Sequence, residues 1–356
     1  MEIYILYFVF IFLLWVYSIN QRRREVVVRC LKASLIVMFL VFVLRDFSVG
    51  RDIPGYKETY EMTSTVSFWD FDYVYFEKGY LLLCKLFNLM NLPFRAFFIF
   101  VYAVILIPLY YFFKNHSKDP LFSLIIYYCY QFFVLDMSGL RQSLAMSVCL
   151  MAYMTLRSEH KHHLLYFALI VAAAFSIHRS AIIFSAVGFL ILKKETRFSN
   201  AVLTLVYIGI ALLVSMYDQY ILLMMQDQEL TEYGYNDSLR AGTTLILNTF
   251  WLIFILFSFF TQHSTGKYRD LLVKYIHLII CACVAMFALS GSPLLRASSY
   301  YLIFLTIALP EFISLMGKRS GAGAIKFMIV ALYFYIFYIS VLDVSQFDIV
   351  PYKFAF

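Results

Sequence analysis

The chain has 356 residues, of which 63% are hydrophobic, 20% aromatic and only 14% charged. A water-soluble globule is nearer half apolar and a quarter charged, so composition excludes that class and points to an all-α polytopic membrane protein. The net charge of +7 does not indicate a nucleic-acid partner, because the excess sits in short links between apolar segments, where positive-inside topology places it.

Taken in chain order, the apolar runs predict spans at Ile3–Ile19, Leu31–Leu44, Phe94–Phe113, Leu121–Leu135, Leu140–Leu156 and Leu164–Ile177. The second half adds Ala181–Leu192, Ala201–Tyr217, Thr243–Thr261, Tyr275–Ser290, Ser298–Met316 and Ile325–Leu342. About twelve membrane helices therefore form one transmembrane domain over residues 1–356. The first run lacks a basic n-region and a small-residue cleavage site, so it is expected to stay as an anchor. Several runs are shorter than a bilayer is thick, which predicts broken or re-entrant helices. Leu164–Ile177 and Ala181–Leu192 read as one such interrupted unit around His178.

Lys and Arg set the threading. Arg22, Arg23, Arg24 and Arg29 follow the first span and make that link cytoplasmic. Every second link is then basic: Lys114 and Lys118, Arg157 and Lys161, Lys193, Lys194 and Arg197, Lys267, Arg269 and Lys274, Lys318 and Arg319. Two outer segments are long. Residues 45–92 form a first outer loop, in which Tyr80–Met90 has the amphipathic character of an interfacial helix, and residues 218–242 form a second, acidic one. The six cysteines lie almost all within apolar runs and read as packing residues; Cys281 and Cys283 point to different helix faces and make a poor metal clamp.

Chemistry is expected on the outer side. Beyond the first loop, each outer connection carries a single arginine beside the start of a span: Arg141, Arg179, Arg240 and Arg296. Positive charge opposes that location, so a set of guanidinium groups there suggests an anion site, although any one of them could pair with an outer carboxylate such as Asp136. Of seven histidines only His178 faces outward, beside Arg179 at a helix end, and an imidazole is suited to general-base work at neutral pH. The mixed run His160, Lys161, His162 and His163 reads as a solvated inner link. In the first loop, Gly50-Arg51-Asp52-Ile53-Pro54-Gly55-Tyr56 breaks secondary structure and offers Arg51 to phosphate and Asp52 to a sugar hydroxyl, while Phe76-Glu77-Lys78-Gly79-Tyr80 supplies another carboxylate.

These motifs, followed by Arg141-Gln142, His178-Arg179-Ser180 and Arg296 with Tyr300, occur in an order that resembles the EpsG-like branch of the Wzy-type polysaccharide polymerases across nearly the whole chain. The resemblance implies a GT-C-like membrane glycosyltransferase of the bacterial inner membrane, with its site facing the periplasm. Its donor and acceptor would be undecaprenyl-diphosphate-linked oligosaccharides, and its product an O-antigen or related surface polysaccharide. His178, Arg141 and Arg296 are the expected catalytic residues. Arg51, Asp52, Tyr56, Glu77, Gln142, Arg179 and Tyr300 are the expected substrate-binding ones, with Asp52 or Glu77 able to replace His178 as base. Asp70-Phe71-Asp72 has the spacing of a metal-binding pair but stands in an aromatic loop, so metal-independent transfer without a cofactor is expected, and direct displacement by the acceptor would make it inverting. A chain-length regulator is a possible partner. A lipid-linked oligosaccharide flippase and an O-antigen ligase are the alternatives. A flippase should carry ionisable residues in mid-membrane, whereas the charged residues of these spans lie beside their ends, with Glu311 as the exception.

Overall fold

The computed structural model describes residues 1–21, 23–67, 76–130, 132–158, 160–192, 298–315, 321–342 and 347–356. The expected spans between Ala201 and Ser290, Arg240, Arg296, Asp70, Asp72 and the loop 218–242 lie outside these residues. Among the described residues the chain is all-helical, with one isolated antiparallel bridge between Arg45 and Phe354. It divides into two compact units, Met1–Ser185 with Met316–Phe356, and Ala186–Leu315.

In the first unit, α1 (Glu2–Gln21), α2 (Arg24–Val43) and α5 (Phe94–His116) are long and apolar enough to cross a bilayer, as is the helix Ala322–Leu342 near the C-terminus. The run expected as a single span over Leu121–Leu135 is instead α6 (Pro120–Cys129) and α7 (Phe132–Ser138), bent by 58°. Together they make a broken span or a re-entrant loop, the fifth candidate among the described residues. These helices establish a polytopic membrane protein.

The first outer segment folds into α3 (Ile53–Thr65) and α4 (Lys78–Leu89), the latter where an amphipathic helix is expected. Pro54 in the first turn of α3 removes an N–H that would lack an intrahelical partner anyway. The two helices are tied by side chains of α4. Lys85 donates to the carbonyls of Thr63 and Val66, satisfying the C-terminal end of α3, and Asn88 donates to Tyr60 O and Thr63 Oγ1. α8 (Leu140–Leu156) packs most extensively against α5 and against α9 (His163–Ile177). Ser147 of α8 donates to the carbonyls of Val104 and Ile105, holding that helix pair close.

Helix direction follows from contacts at the two ends. Arg24, at the start of α2, donates to the carbonyl of Lys114 at the end of α5. At the opposite end Arg95, in the first turn of α5, donates to the carbonyls of Val43 and Arg45 at 2.8 Å each, capping α2. The basic links after α1 and α5 thus lie together, as the charge alternation predicts. At their end, Asp119 caps α6 by accepting from Phe122 N–H and also accepts from Trp15 Nε1 and Lys326.

α9 stops at Ile177, His178 is extended, and a 3-10 helix over Arg179–Phe184 leads into α10 (Ser185–Leu192). The interruption expected around His178 is present. The described part of the second unit continues with α11 (Ser299–Leu302) and α12 (Leu305–Leu315), and α13 (Ala322–Leu342) returns to the first.

Candidate functional site

Three breaks in helical structure converge at the end of the first unit that lies away from Lys114. The first is the start of α4. Glu77 is its N-cap residue, with extended backbone at φ −62° and ψ 139°. Two residues on, Gly79 sits directly on the end of α9, where a Cβ would lie 2.2 Å from Ser176 Oγ and 2.5 Å from Ser176 O. Only glycine fits this approach, and it brings the Glu77 carboxylate to the second break, at His178.

There Glu77 Oε1 lies 2.9 Å from His178 Nδ1 and accepts the backbone N–H of Arg179 at 3.1 Å. That N–H opens the 3-10 helix and has no helical partner upstream, so the carboxylate serves as its cap. The third break is the α7–α8 junction at Gly139, which places Arg141 in the first turn of α8. Arg141 Nη1 donates to Glu77 Oε2. Its guanidinium stacks on Phe76, 3.7 Å from the ring centroid, and lies 5.7 Å from that of Tyr56 on α3. One carboxylate therefore joins residues 64 and 101 positions away in sequence.

Burial by itself would raise the Glu77 carboxyl. The hydrogen bond from His178, the charges of Arg141 and His178 and the Arg179 N–H outweigh it and hold the pKa at about 2. Glu77 is thus ionised at any physiological pH and can only accept hydrogen bonds, which assigns the Nδ1 proton of a neutral His178 to the Glu77 side. Nε2 is left with its lone pair. His178 is also the most open of the three, its side chain 24% exposed against 11% for Glu77 and 14% for Arg141. Burial pushes the Tyr56 phenol up to about 12 against the opposing charge of Arg141, so Tyr56 stays protonated beside the guanidinium.

Of the residues expected from sequence, Glu77, Arg141, His178, Arg179 and Tyr56 come together. Asp52 precedes α3 by one residue; its carbonyl accepts from Tyr56 N–H and its own N–H reaches Ser138 Oγ at 3.4 Å. Arg51 adjoins it, Gln142 is buried next to Arg141, and the Arg179 side chain is exposed. Tyr300 lies on α11 in the second unit. The carboxylate paired with Arg141 is Glu77; Asp136, the partner considered from sequence, instead accepts from Tyr127 Oη at 2.6 Å. Sequence reasoning assigned no role to Phe76 or to the close approach at Gly79, although both flank Glu77 in the quoted motif. It also passed over Arg45, which is wholly buried and donates to Met137 O and Tyr102 Oη at 2.5 Å each. Among the described residues no group of three or more His, Cys, Asp or Glu side chains is placed to hold a metal ion.

No curated protein and no solved structure matches the chain. The model of the EpsG family matches residues 30–354, a stretch that contains Glu77, Arg141 and His178 together with the whole first outer segment. The chain is a member of the EpsG family.

Proposed function

We propose that the protein is a polysaccharide polymerase that joins undecaprenyl-diphosphate-linked oligosaccharide repeat units at the periplasmic face of the bacterial inner membrane. Membership of the EpsG family and the helices able to span a bilayer support the setting. The alternation of basic links supports about twelve spans in all, with a GT-C-like arrangement and the Glu77 cluster on the outer side.

The observation that carries the chemistry is the Glu77–His178 contact, 2.9 Å at Nδ1, which leaves Nε2 of a side chain that is 24% exposed to meet the acceptor. An acceptor hydroxyl delivers its proton to Nε2 while its oxygen attacks the anomeric carbon of the donor. The bond from that carbon to the lipid diphosphate breaks, and the anomeric centre inverts. Glu77 stabilises the imidazolium that forms and fixes the ring, so it is a positioning residue and not the base; both of its oxygens are already engaged. Arg141 neutralises Glu77 and anchors it. The negative charge developing on the diphosphate falls to the exposed Arg179, to the new imidazolium, and to Arg51. Asp52, Tyr56 and Gln142 contact sugar or headgroup oxygens in this reading. No metal or cofactor enters the scheme, and a chain-length regulator is a candidate partner.

The test uses a strain lacking the protein and reads its polysaccharide as bands on a gel. Wild-type protein restores a ladder. His178→Ala, present at normal level, should leave single capped repeat units, and a full-length ladder would remove His178 as base. A ligase would leave polymerisation intact in the deletion strain and lose only the transfer to the final acceptor. A flippase would accumulate repeat units on the inner leaflet.

A further inference from the structure

The mechanism makes no use of the C-terminal segment, residues 347–356, yet this segment crosses the loop that leads into α3. Four backbone hydrogen bonds tie the two together. Gly50 N–H donates to Asp348 O at 2.8 Å and Arg51 N–H to Phe347 O at 2.9 Å. Asp46 N–H donates to Lys353 O and Ala355 N–H to Leu44 O, both at 2.9 Å, flanking the Arg45–Phe354 bridge. Two tyrosines anchor the segment to helices: Tyr4 of α1 donates from Oη to Ile349 O at 2.6 Å, and the segment's own Tyr352 donates from Oη to Val41 O of α2 at 3.0 Å. Ile349 is buried.

The loop is also held from within, by Val49 N–H on Asp46 O and Ile53 N–H on Gly50 O at 3.1 Å each, but its Gly50 and Arg51 N–H groups both donate to the C-terminal segment. Gly50 has φ +101°, and a Cβ there would stand 2.2 Å from Met137 O, so its backbone is pressed against the end of α7. Arg51 and Asp52 follow directly, and α3 then carries Tyr56 to Arg141. The strap grips the chain at the two residues before Asp52. Its own path turns at Asp348, whose φ of +46° lies in the left-handed region.

We infer that residues 347–355 are a positioning strap for glycosyl transfer: they fix the Gly50–Arg51 backbone and, through α3, the Tyr56 side of the Glu77–Arg141–His178 cluster. This rests on the function proposed above for the cluster; the strap itself can be read without it.

The test uses the full chain in lipid nanodiscs with two substitutions at one position. Asp348→Pro forbids the positive φ, since proline locks φ near −65°, whereas Asp348→Gly permits it. Hydrogen exchange measured by mass spectrometry should rise about tenfold or more over residues 44–65 in Asp348→Pro and stay unchanged over α8 and α9. Polymerisation of lipid-linked repeats should fall about tenfold or more, with a higher apparent KM for the donor, and Asp348→Gly should keep both readouts near the parent's. Parental exchange over 44–65 in Asp348→Pro overturns the strap, and faster exchange with unchanged turnover overturns its role in positioning. If Asp348→Pro does not insert, Tyr352→Phe decides: it removes only the hydroxyl on Val41 O and should move both readouts in the same direction by about two- to threefold. No movement there overturns the inference. A parent unable to polymerise repeats would sink the proposed function, while the exchange comparison would still decide the strap.

Discussion

Glu77→Gln is the most informative single change, because it keeps the shape of the side chain and removes only its charge. The surroundings bring the carboxyl from its ordinary 4.5 to about 2, which corresponds to about 3 kcal/mol in favour of the ionised form. Little of this is lost to solvent screening, since the side chain is 11% exposed. In the amide, one terminal atom becomes a donor. It must face either Arg141 or the His178–Arg179 pair, all of which already donate, so one of the contacts is lost outright. If the whole 3 kcal/mol is realised in the transition state, polymerisation falls by on the order of 10². The sign with pH is fixed by the same numbers. A carboxyl depressed from 4.5 to about 2 contributes its stability in full above about pH 4.5 and loses it as the pH falls through about 2. Wild type should therefore be more heat-stable than Glu77→Gln at neutral pH, and the difference should shrink as the pH falls below 4.5. The assay is initial polymerisation rate with purified, reconstituted protein, alongside melting of each variant across pH. A Glu77→Gln enzyme with a wild-type rate and a pH-independent stability difference would refute the reasoning.

Gly79→Ala should damage the site without touching any charged group. The new methyl meets both the hydroxyl and the backbone carbonyl of Ser176, so α4 must lift from α9 and Glu77 from His178; the polysaccharide ladder should be lost, and Ser176→Ala should not restore it. Phe76→Leu removes the aromatic face under Arg141, a contact of about 1 kcal/mol, and should lower the rate about fivefold with normal protein level on a blot. Arg179→Ala leaves its backbone N–H on Glu77, so its effect should appear as weaker donor use, seen as a raised KM that Arg179→Lys only partly corrects. A chelator in the purified reaction should leave the rate unchanged, and loss of rate restored by a divalent cation would overturn metal-independent transfer.

How much was legible in the sequence depends on the range of the interaction. Apolar runs and basic links are local or periodic, and they located α1, α2, α5 and α8 and put His178 on the side away from Lys114. α8 occupies Leu140–Leu156, the same bounds that the apolar pattern gives. The bend between α6 and α7 was hidden because Leu121–Leu135 is apolar on both sides of it, and hydropathy carries no angular information. The Glu77 motif was visible, but its partners lie on α8 and at the end of α9, and nothing within the motif states which cation a carboxylate will meet. Gly79 reads as an ordinary helix-weakening glycine until Ser176 is placed against it. The tail is least legible of all. Residues 347–356 have no periodicity, and their role depends on carbonyls meeting the N–H groups of a loop some 300 positions earlier in the chain.

The central claim is that His178, held by Glu77, takes the acceptor's proton. It is tested most directly by supplying purified, reconstituted protein with lipid-diphosphate-linked repeat units and comparing wild type with His178→Ala over the first turnovers. The account predicts joined repeats and released lipid diphosphate from wild type, and neither from His178→Ala at equal, correctly inserted protein. Equal rates from the two proteins would contradict it.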